Sequence, residues 1–348
     1  MPLTEDEIFM RHALACARLG EGHTRPNPPV GAVLVRAGKV IAKGYHARCG
    51  GDHAEVAAIK AAPPALLDRQ TTLYVTLEPC SRAGRVGPCT DAIRAAGIGR
   101  VVYAAEDPNP TNRQRATRVL AAAGIRCERL VAGRVADAAA RLIAPFACTM
   151  RDKRPFVTVK LAMSLDGRIC DNAGSAQWIS SASSRRRTGL LRTRVDAIMV
   201  GAETVRRDDP SLLSHGRPNP DLMRIIVTRS GRLPRKARVF TDEARARTFI
   251  CVVGANNKMS ALEKWTQAAG LGGVWAVPTL KDVLCTLYRE IGALHLLCEG
   301  GLKLATSLAE AGLVDAWLTV LAPKVIGSRP IAEACEWSGN DTFVTYRR

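Results

Sequence analysis

The sequence predicts an α/β protein of two domains, and three observations carry that expectation. The chain has 348 residues, about twice the ~150 of a common domain. In both halves strand-like runs rich in Val, Ile and Leu alternate with helix-like segments, the order that builds sheets covered by helices. Between the halves, residues 145–155 change character, with Arg151-Asp152-Lys153-Arg154 set between two prolines. We place the boundary there, with domains at 1–147 and 148–348.

Thr4-Glu5-Asp6-Glu7 has the spacing of a capping box, and Phe9, Ala13 and Ala17 recur every fourth residue, so a helix runs from there toward Gly20. The Pro-rich turn at 25–29 ends it. Apolar runs at 30–35 and 40–44, joined across Gly38, read as a β-hairpin. A helix at 54–62, a strand at 72–77, a helix from 90 closed by Gly97 and a strand at 100–105 follow. Asp107-Pro108-Asn109-Pro110 makes a turn, and a helix at 118–123 ends at Gly124. The second half carries strands at 156–161, 197–200, 224–227, 248–253, 274–277, 295–298 and 317–321, with helices between several of them. The chain stops soon after Pro330, which predicts short or missing final strands.

Composition excludes several classes. Hydrophobic residues make up 47% and charged residues 24%, which is neither a disordered nor a collagenous balance. No apolar run approaches the roughly 18 to 20 residues that cross a bilayer. Glu5, Asp6 and Glu7 stand where a secretory leader needs a basic start, so a cytoplasmic protein without membrane contact is expected. Eleven cysteines, an odd number, suit buried reduced thiols rather than a disulfide framework. The formal charge of +18 favours anionic partners without choosing among them. The cluster Arg185-Arg186-Arg187, continued by Arg192 and Arg194, is either a solvated helix face or a phosphate contact.

In the first half His53-Ala54-Glu55 stands ahead of Glu78-Pro79-Cys80, and Pro88-Cys89 follows. One His and two Cys supply the nitrogen and sulfur ligands of a hydrolytic zinc site with one position left for water. The metal lowers the pKa of that water toward about 7. Glu55, two residues after a ligand, is then placed to carry a proton from water to a leaving amine without binding the metal. Deaminases of nucleic-acid bases use P-C-x-x-C, whereas eight residues separate Cys80 from Cys89 here. Arg82 and Arg85 lie in that insert and suit a substrate phosphate.

At these residues the chain resembles the bifunctional riboflavin-biosynthesis deaminase–reductases of RibD type. The resemblance rests on Pro26-Asn27-Pro28, Val30-Gly31, Gly44-Tyr45-His46, His53-Ala54-Glu55-Val56, Val75 through Ser81, Gly84-Arg85, Pro88-Cys89 and Asp107 through Pro110. It implies a cytidine-deaminase-like α/β/α domain, zinc on His53, Cys80 and Cys89, and Glu55 as catalytic proton shuttle. It further implies substrate contacts at Asn27 and Arg85, and hydrolytic deamination of a phosphoribosylated diaminopyrimidine. The chain departs from the family pattern at Arg82-Ala83, where His is usual, at Pro29, and in the glycine-free segment 111–116.

No G-x-G-x-x-G opens a helix in the second half, which disfavours a Rossmann site. Cys298-Glu299-Gly300-Gly301 instead joins a predicted strand to a helix, where free N–H groups can meet phosphate oxygens. Val159-Lys160-Leu161, Ser164 through Arg168, Gln177 through Ser180, Leu191-Arg192, Asp208 through Leu212 and Ala322-Pro323-Lys324 resemble the reductase half of the same family. That implies a dihydrofolate-reductase-like α/β domain and hydride transfer from NADPH that opens a ribosyl group to a ribityl chain. By family position NADPH meets Ala162, Trp178, Thr204, Asp208 and the turn of Gly301, Leu302, Lys303, Leu304, Ala305 and Thr306. Lys160, Ala176, Arg192, Leu212, His215 and Glu299 fall on substrate positions, with Ala176 and His215 standing where the family has Ser and Arg.

The leading expectation is therefore a two-step riboflavin-pathway enzyme with zinc and NADPH, acting on a phosphoribosyl pyrimidine as a homo-oligomer and without nucleic acid. Two alternatives stay open. One is a diverged relative with one half impaired, motivated by the substrate-side departures. The other is a nucleic-acid base deaminase or basic binding protein, motivated by charge alone.

Overall fold

The computed structural model of the protein describes residues 3–82, 87–131, 133–169, 179–214, 216, 218–254, 259–324, 326, 331–338 and 341–347. It divides into two compact units, Met1–Phe156 with Leu287–Leu294, and Val157–Thr286 with His295–Arg348.

The first unit opens with α1 (Glu5–Ala17), β1 (Gly31–Arg36), β2 (Lys39–Tyr45), α2 (Ala54–Ala61) and β3 (Thr72–Leu77). It continues with α3 (Cys89–Ala95), β4 (Arg100–Ala105), α4 (Arg115–Ala122), β5 (Arg126–Arg129) and α5 (Arg134–Asp152). The expected capping box at Thr4 and Glu7 closes in both directions. The five strands lie in the order β2-β1-β3-β4-β5. β1 runs antiparallel to β2 and β3, while β3, β4 and β5 are parallel. Helices α1 and α5 pack together on one face, and α2, α3 and α4 form the other layer. Between them lies one apolar core that includes Leu34, Leu73, Val75, Val101 and Ile93.

Two of these elements differ from the sequence expectation. Residue 147 falls inside α5, which runs for 19 residues through Pro145. Val135, Ala139, Ile143 and Thr149 recur at helical spacing and are buried, so a continuous apolar face outweighs the backbone bond that a proline removes. The other is β5, Arg126-Cys127-Glu128-Arg129, a charged stretch to which the sequence pattern assigns no element. It is the last strand of the sheet, where charged side chains are ordinary.

The second unit contains β6 (Phe156–Ser164), α6 (Ala182–Leu191), β7 (Ala197–Gly201), α7 (Ala202–Asp208), β8 (Met223–Thr228) and α8 (Arg238–Thr241). It continues with β9 (Thr248–Val253), α9 (Met259–Ala268), β10 (Gly273–Val277), α10 (Leu280–Ile291, which crosses into the first unit's residues), β11 (His295–Cys298), α11 (Leu302–Glu310) and β12 (Ala316–Ala322). Seven strands form a sheet in the order β10-β9-β8-β7-β11-β6-β12. The chain winds outward from β7 to β10, then returns to insert β11 beside β7. The reversal creates a switch point at the carboxyl ends of these strands, the usual place for a ligand in an open α/β sheet. Instead of missing final strands, Ile331–Ser338 (β13) and Asp341–Arg347 (β14) pair as an antiparallel hairpin. No helix among the described residues is long and apolar enough to cross a membrane.

Gly44 lets α2 lie directly on β2: a Cβ there would stand 2.3 Å from the Ala58 nitrogen and 2.4 Å from the Ala54 carbonyl oxygen. Both obstacles are backbone, so the helix itself must move. Gly44→Ala is expected to destabilise the first unit by about 2 kcal/mol, read as a lower urea midpoint by circular dichroism.

The His295 ring nitrogen lies 2.9 Å from the Thr158 hydroxyl, and desolvation of the half-buried side chain pushes its pKa from 6.5 down to about 4. Between those values the unfolded chain takes up a proton that the folded unit refuses, so stability falls as pH drops from 6.5 toward 4. The loss amounts to about 3 kcal/mol. All five tryptophans lie in this second unit, so their fluorescence during urea unfolding reports it selectively. His295→Asn is expected to remove this part of the pH slope.

Candidate active sites

Three chain segments converge at one end of the first sheet. β3 leads into Glu78-Pro79-Cys80, His53 is the N-cap residue of α2, and Cys89 opens α3. His53 Nδ1 lies 3.2 Å from Cys89 Sγ and 3.5 Å from Cys80 Sγ, and the two sulfurs are 3.4 Å apart. Tetrahedral zinc with Zn–S near 2.3 Å and Zn–N near 2.0 Å requires ligand–ligand edges of roughly 3.5 to 3.8 Å. The observed edges lie at or within about 0.4 Å below that requirement, so a small outward shift of the side chains lets these three residues fit the ion. The two helix N-termini add positive potential beside the sulfurs, and the Cys89 N–H donates to Cys80 Sγ at 3.3 Å.

Donation from Cys89 and the nearby His53 hold the Cys80 thiol down to about 4, while the Cys80 sulfur and burial push Cys89 well above the ordinary thiol range. Glu55 sits in the first turn of α2, is 3% exposed, and feels the charges of Cys80 and His53. Burial, reinforced by the Cys80 charge, raises it to about 7. The carboxyl thus lies against the ligand set in a dry setting that suits both taking and giving a proton.

A second layer of polar contacts holds these segments. His46 Nδ1 donates to the Asp52 carbonyl (2.9 Å), and Nε2 accepts from the Asn27 amide (3.1 Å). Its ring also packs edge-on against His53, with centroids 5.4 Å apart. On the other side buried Glu78 accepts from the backbone N–H groups of Asp107, Gln114 and Ala116 at 3.3, 3.0 and 3.2 Å. Asp107 accepts from Asn112 Nδ2 (2.7 Å), and Asn112 Oδ1 accepts from the Ser81 N–H and hydroxyl (2.9 and 3.0 Å). The turn after Cys80 is therefore tied to the loop after β4. Sequence reasoning recorded Glu78, Ser81, Asp107 and His46 only as members of motifs and missed Asn112. Contacts across 29 to 38 residues leave no local signal.

In the second unit α7 follows β7 and α11 follows β11, on adjacent strands. A Cβ at Gly301, the N-cap residue of α11, would come within 3.9 Å of Thr204 Oγ1 on α7. The residues expected around NADPH at 301–306 therefore form the first turns of a helix that opens beside Thr204. Asp208 ends α7, and Ala162 lies on β6. Among the substrate positions, Arg192 grips both oxygens of Glu299 (2.8 and 3.1 Å) and donates to the Leu213 carbonyl (2.9 Å). Lys160 Nζ is 3.9 Å from the same carboxylate. Two cations thus surround one anion, with Leu212 beside them in the chain, and the surplus positive charge suits a phosphate. Arg85, Ala176, Trp178 and His215 lie outside the described residues.

The comparisons with known proteins agree with both halves. The family model for the cytidine and deoxycytidylate deaminase zinc-binding region matches residues 3–105. The model for the RibD C-terminal domain matches residues 155–340. The riboflavin biosynthesis protein RibD of Aquifex aeolicus is 38% identical over 324 residues, 92% of this chain and 88% of that protein. The Escherichia coli protein of the same name is 34% identical over 348 residues, 93% and 89% of the two chains. Among solved structures, Acinetobacter baumannii RibD (form 1) aligns with a TM-score of 0.80 at 29% identity, covering 98% of each chain. A diaminohydroxyphosphoribosylaminopyrimidine deaminase/5-amino-6-(5-phosphoribosylamino)uracil reductase from Thermotoga maritima aligns at 0.78 and 29% identity, covering 99% and 98%. With a zinc-binding deaminase unit followed by a reductase unit, this chain belongs to the RibD family of bifunctional riboflavin-biosynthesis enzymes.

Proposed function

We propose that the first unit hydrolyses the ring amine of a diaminohydroxyphosphoribosylaminopyrimidine, and that the second reduces the ribosyl group of the resulting aminouracil with NADPH. The observation that carries the reading is the trio His53, Cys80 and Cys89, whose ligand atoms lie within 4.8 Å of one another, with buried Glu55 against them. His53, Cys80 and Cys89 hold zinc, which when bound makes water a competent nucleophile near neutral pH. Glu55 accepts a proton from the attacking water on its carboxylate and returns it to the departing amine, so that water and the aminopyrimidine become the ring carbonyl and ammonia. Asn27, oriented by His46, presents its amide to the pyrimidine.

In the second unit NADPH, when bound, supplies a hydride to ribose C1′. The first turns of α11 together with Ala162, Thr204 and Asp208 hold the cofactor, while Lys160, Arg192, Leu212 and Glu299 orient the phosphoribosyl group. Arg85, Ala176, Trp178 and His215 are assigned to the same sites by family position. The domain division at 1–147 and 148–348, a cytoplasmic location and a homo-oligomeric state belong to this proposal. Cysteines outside any disulfide, such as Cys16, Cys251 and Cys298, suit a reducing compartment.

Glu55→Gln is expected to lower ammonia release by about 10²- to 10⁴-fold while zinc content, measured by elemental analysis, stays at one ion per chain. Chelation of the metal is expected to abolish ammonia release and leave NADPH oxidation with the deaminated substrate intact. Loss of both activities on chelation would overturn the division of labour. Arg192→Lys keeps the charge but loses the two-pronged grip. It is expected to raise KM for the ribosyl substrate about tenfold, equivalent to about 1.4 kcal/mol, with the deaminase rate unchanged in the same preparation.

A further inference from the structure

The turn that joins α7 to β8 has an unusual backbone. Asp209 (φ 39°) and Leu212 (φ 57°) both occupy the left-handed region, which L-residues other than Asn and Asp rarely adopt. Leu212 is nonetheless buried, between two carbonyl groups that are each held by an arginine. Arg192, from the end of α6, donates to the Leu213 carbonyl, and Arg224 Nη1, from β8, donates to the Ser211 carbonyl at 2.9 Å. α8 stands behind the turn. Its first residue, Arg238, donates from its backbone N–H to Asp209 Oδ1 (2.7 Å) and from Nε to the Asp209 carbonyl (2.8 Å). Its C-cap residue, Asp242, takes Arg224 in a two-pronged pair at 2.6 and 2.7 Å.

Arg224 is a costly way to fasten a loop. Its side chain is 0% exposed in an otherwise apolar strand, and its Nε–H has no hydrogen-bond partner. Replacing a buried ion pair by apolar residues of similar volume is often neutral or stabilising, and an unsatisfied donor adds a desolvation cost. What an apolar residue could not do is hold the Ser211 carbonyl while anchored to α8. We infer that Arg224, locked by Asp242, is a positioning residue of the reductase site: with the Leu212 side chain anchored in the apolar core beside Ile198 and Ile226, it fixes the backbone of the left-handed turn that meets the ribosyl substrate. This rests on the assignment of Leu212 to that substrate in the proposed function.

The test uses the full chain, in which ammonia release is an internal control. Arg224→Lys can keep a charge near Asp242 but cannot hold both Asp242 oxygens and the Ser211 carbonyl. Its expected effect is a rise of about tenfold in KM for 5-amino-6-(5-phosphoribosylamino)uracil with kcat changed less than about threefold, as for a misplaced contact. NADPH affinity, followed by nucleotide fluorescence, and ammonia release should both stay within about twofold of wild type. Asp242→Asn keeps the Arg224 contact to Ser211 with a weaker anchor and should raise the same KM by about threefold. It is the deciding variant if Arg224→Lys does not fold. An unchanged KM in a folded variant overturns the inference, and so does a parallel loss of kcat, NADPH affinity and tryptophan-monitored stability. Wild-type protein that oxidises no NADPH with this substrate, yet releases ammonia, would remove the functional reading and this inference with it.

Discussion

The deaminase unit depends on three chain segments ending at one point. A strand delivers one sulfur, and two helices begin with the imidazole and the other sulfur, so the ligand geometry is a property of the sheet and its covering layer rather than of a flexible loop. Gly44 allows α2 to lie without a spacer on β2, and the Cys89 N–H points at the Cys80 sulfur. The same arrangement explains why Glu55 is dry. A residue two positions into a helix that rests on the sheet is enclosed as soon as the helix docks, and a carboxyl in that setting is shifted toward neutrality by burial alone.

The reductase unit is organised differently. Its charge lies inside the site rather than around a metal. Arg192 and Lys160 share one carboxylate, Glu299, and that carboxylate comes from the residue just before the glycine pair that opens α11. The first turn of α11 and the two cations are therefore joined through a single residue. Part of the excess of basic residues in the chain is accounted for here and in the arginines that hold the turn around Leu212. None of that requires a nucleic-acid surface.

Much of this was legible in the sequence because the relevant signals are local or have fixed spacing. His53-Ala54-Glu55 and the two Pro-Cys pairs announce the metal chemistry. The apolar runs mark the central strands within a residue or two, as at Thr72–Leu77 and Arg100–Ala105. What was hidden is long-range or contradictory. Pro145 reads as a break, yet the buried face of α5 carries the helix through it. Arg126-Cys127-Glu128-Arg129 lacks the apolar alternation of a strand, and edge pairing makes it one. Arg224 sits in Met-Arg-Ile-Ile-Val-Thr, where an isolated charge looks like a surface residue. Only the approach of α8 shows that it is fully enclosed. Glu78 looks like part of the Pro-Cys motif, whereas its work is done on amides of a loop far along the chain.

That last contact changes how the loop after β4 should be regarded. Connections between a strand and a helix ordinarily absorb insertions and deletions, since their amides can turn to water. Here the amides of Asp107, Gln114 and Ala116 are committed to one enclosed carboxylate, and Asn112 ties the same stretch to Ser81. Adding or removing a single residue would strand that carboxylate and slacken the backbone next to a metal-ligand position. The stretch thus admits exchange of side chains more readily than a change of length, and the glycine-free segment at 111–116 keeps these amide contacts.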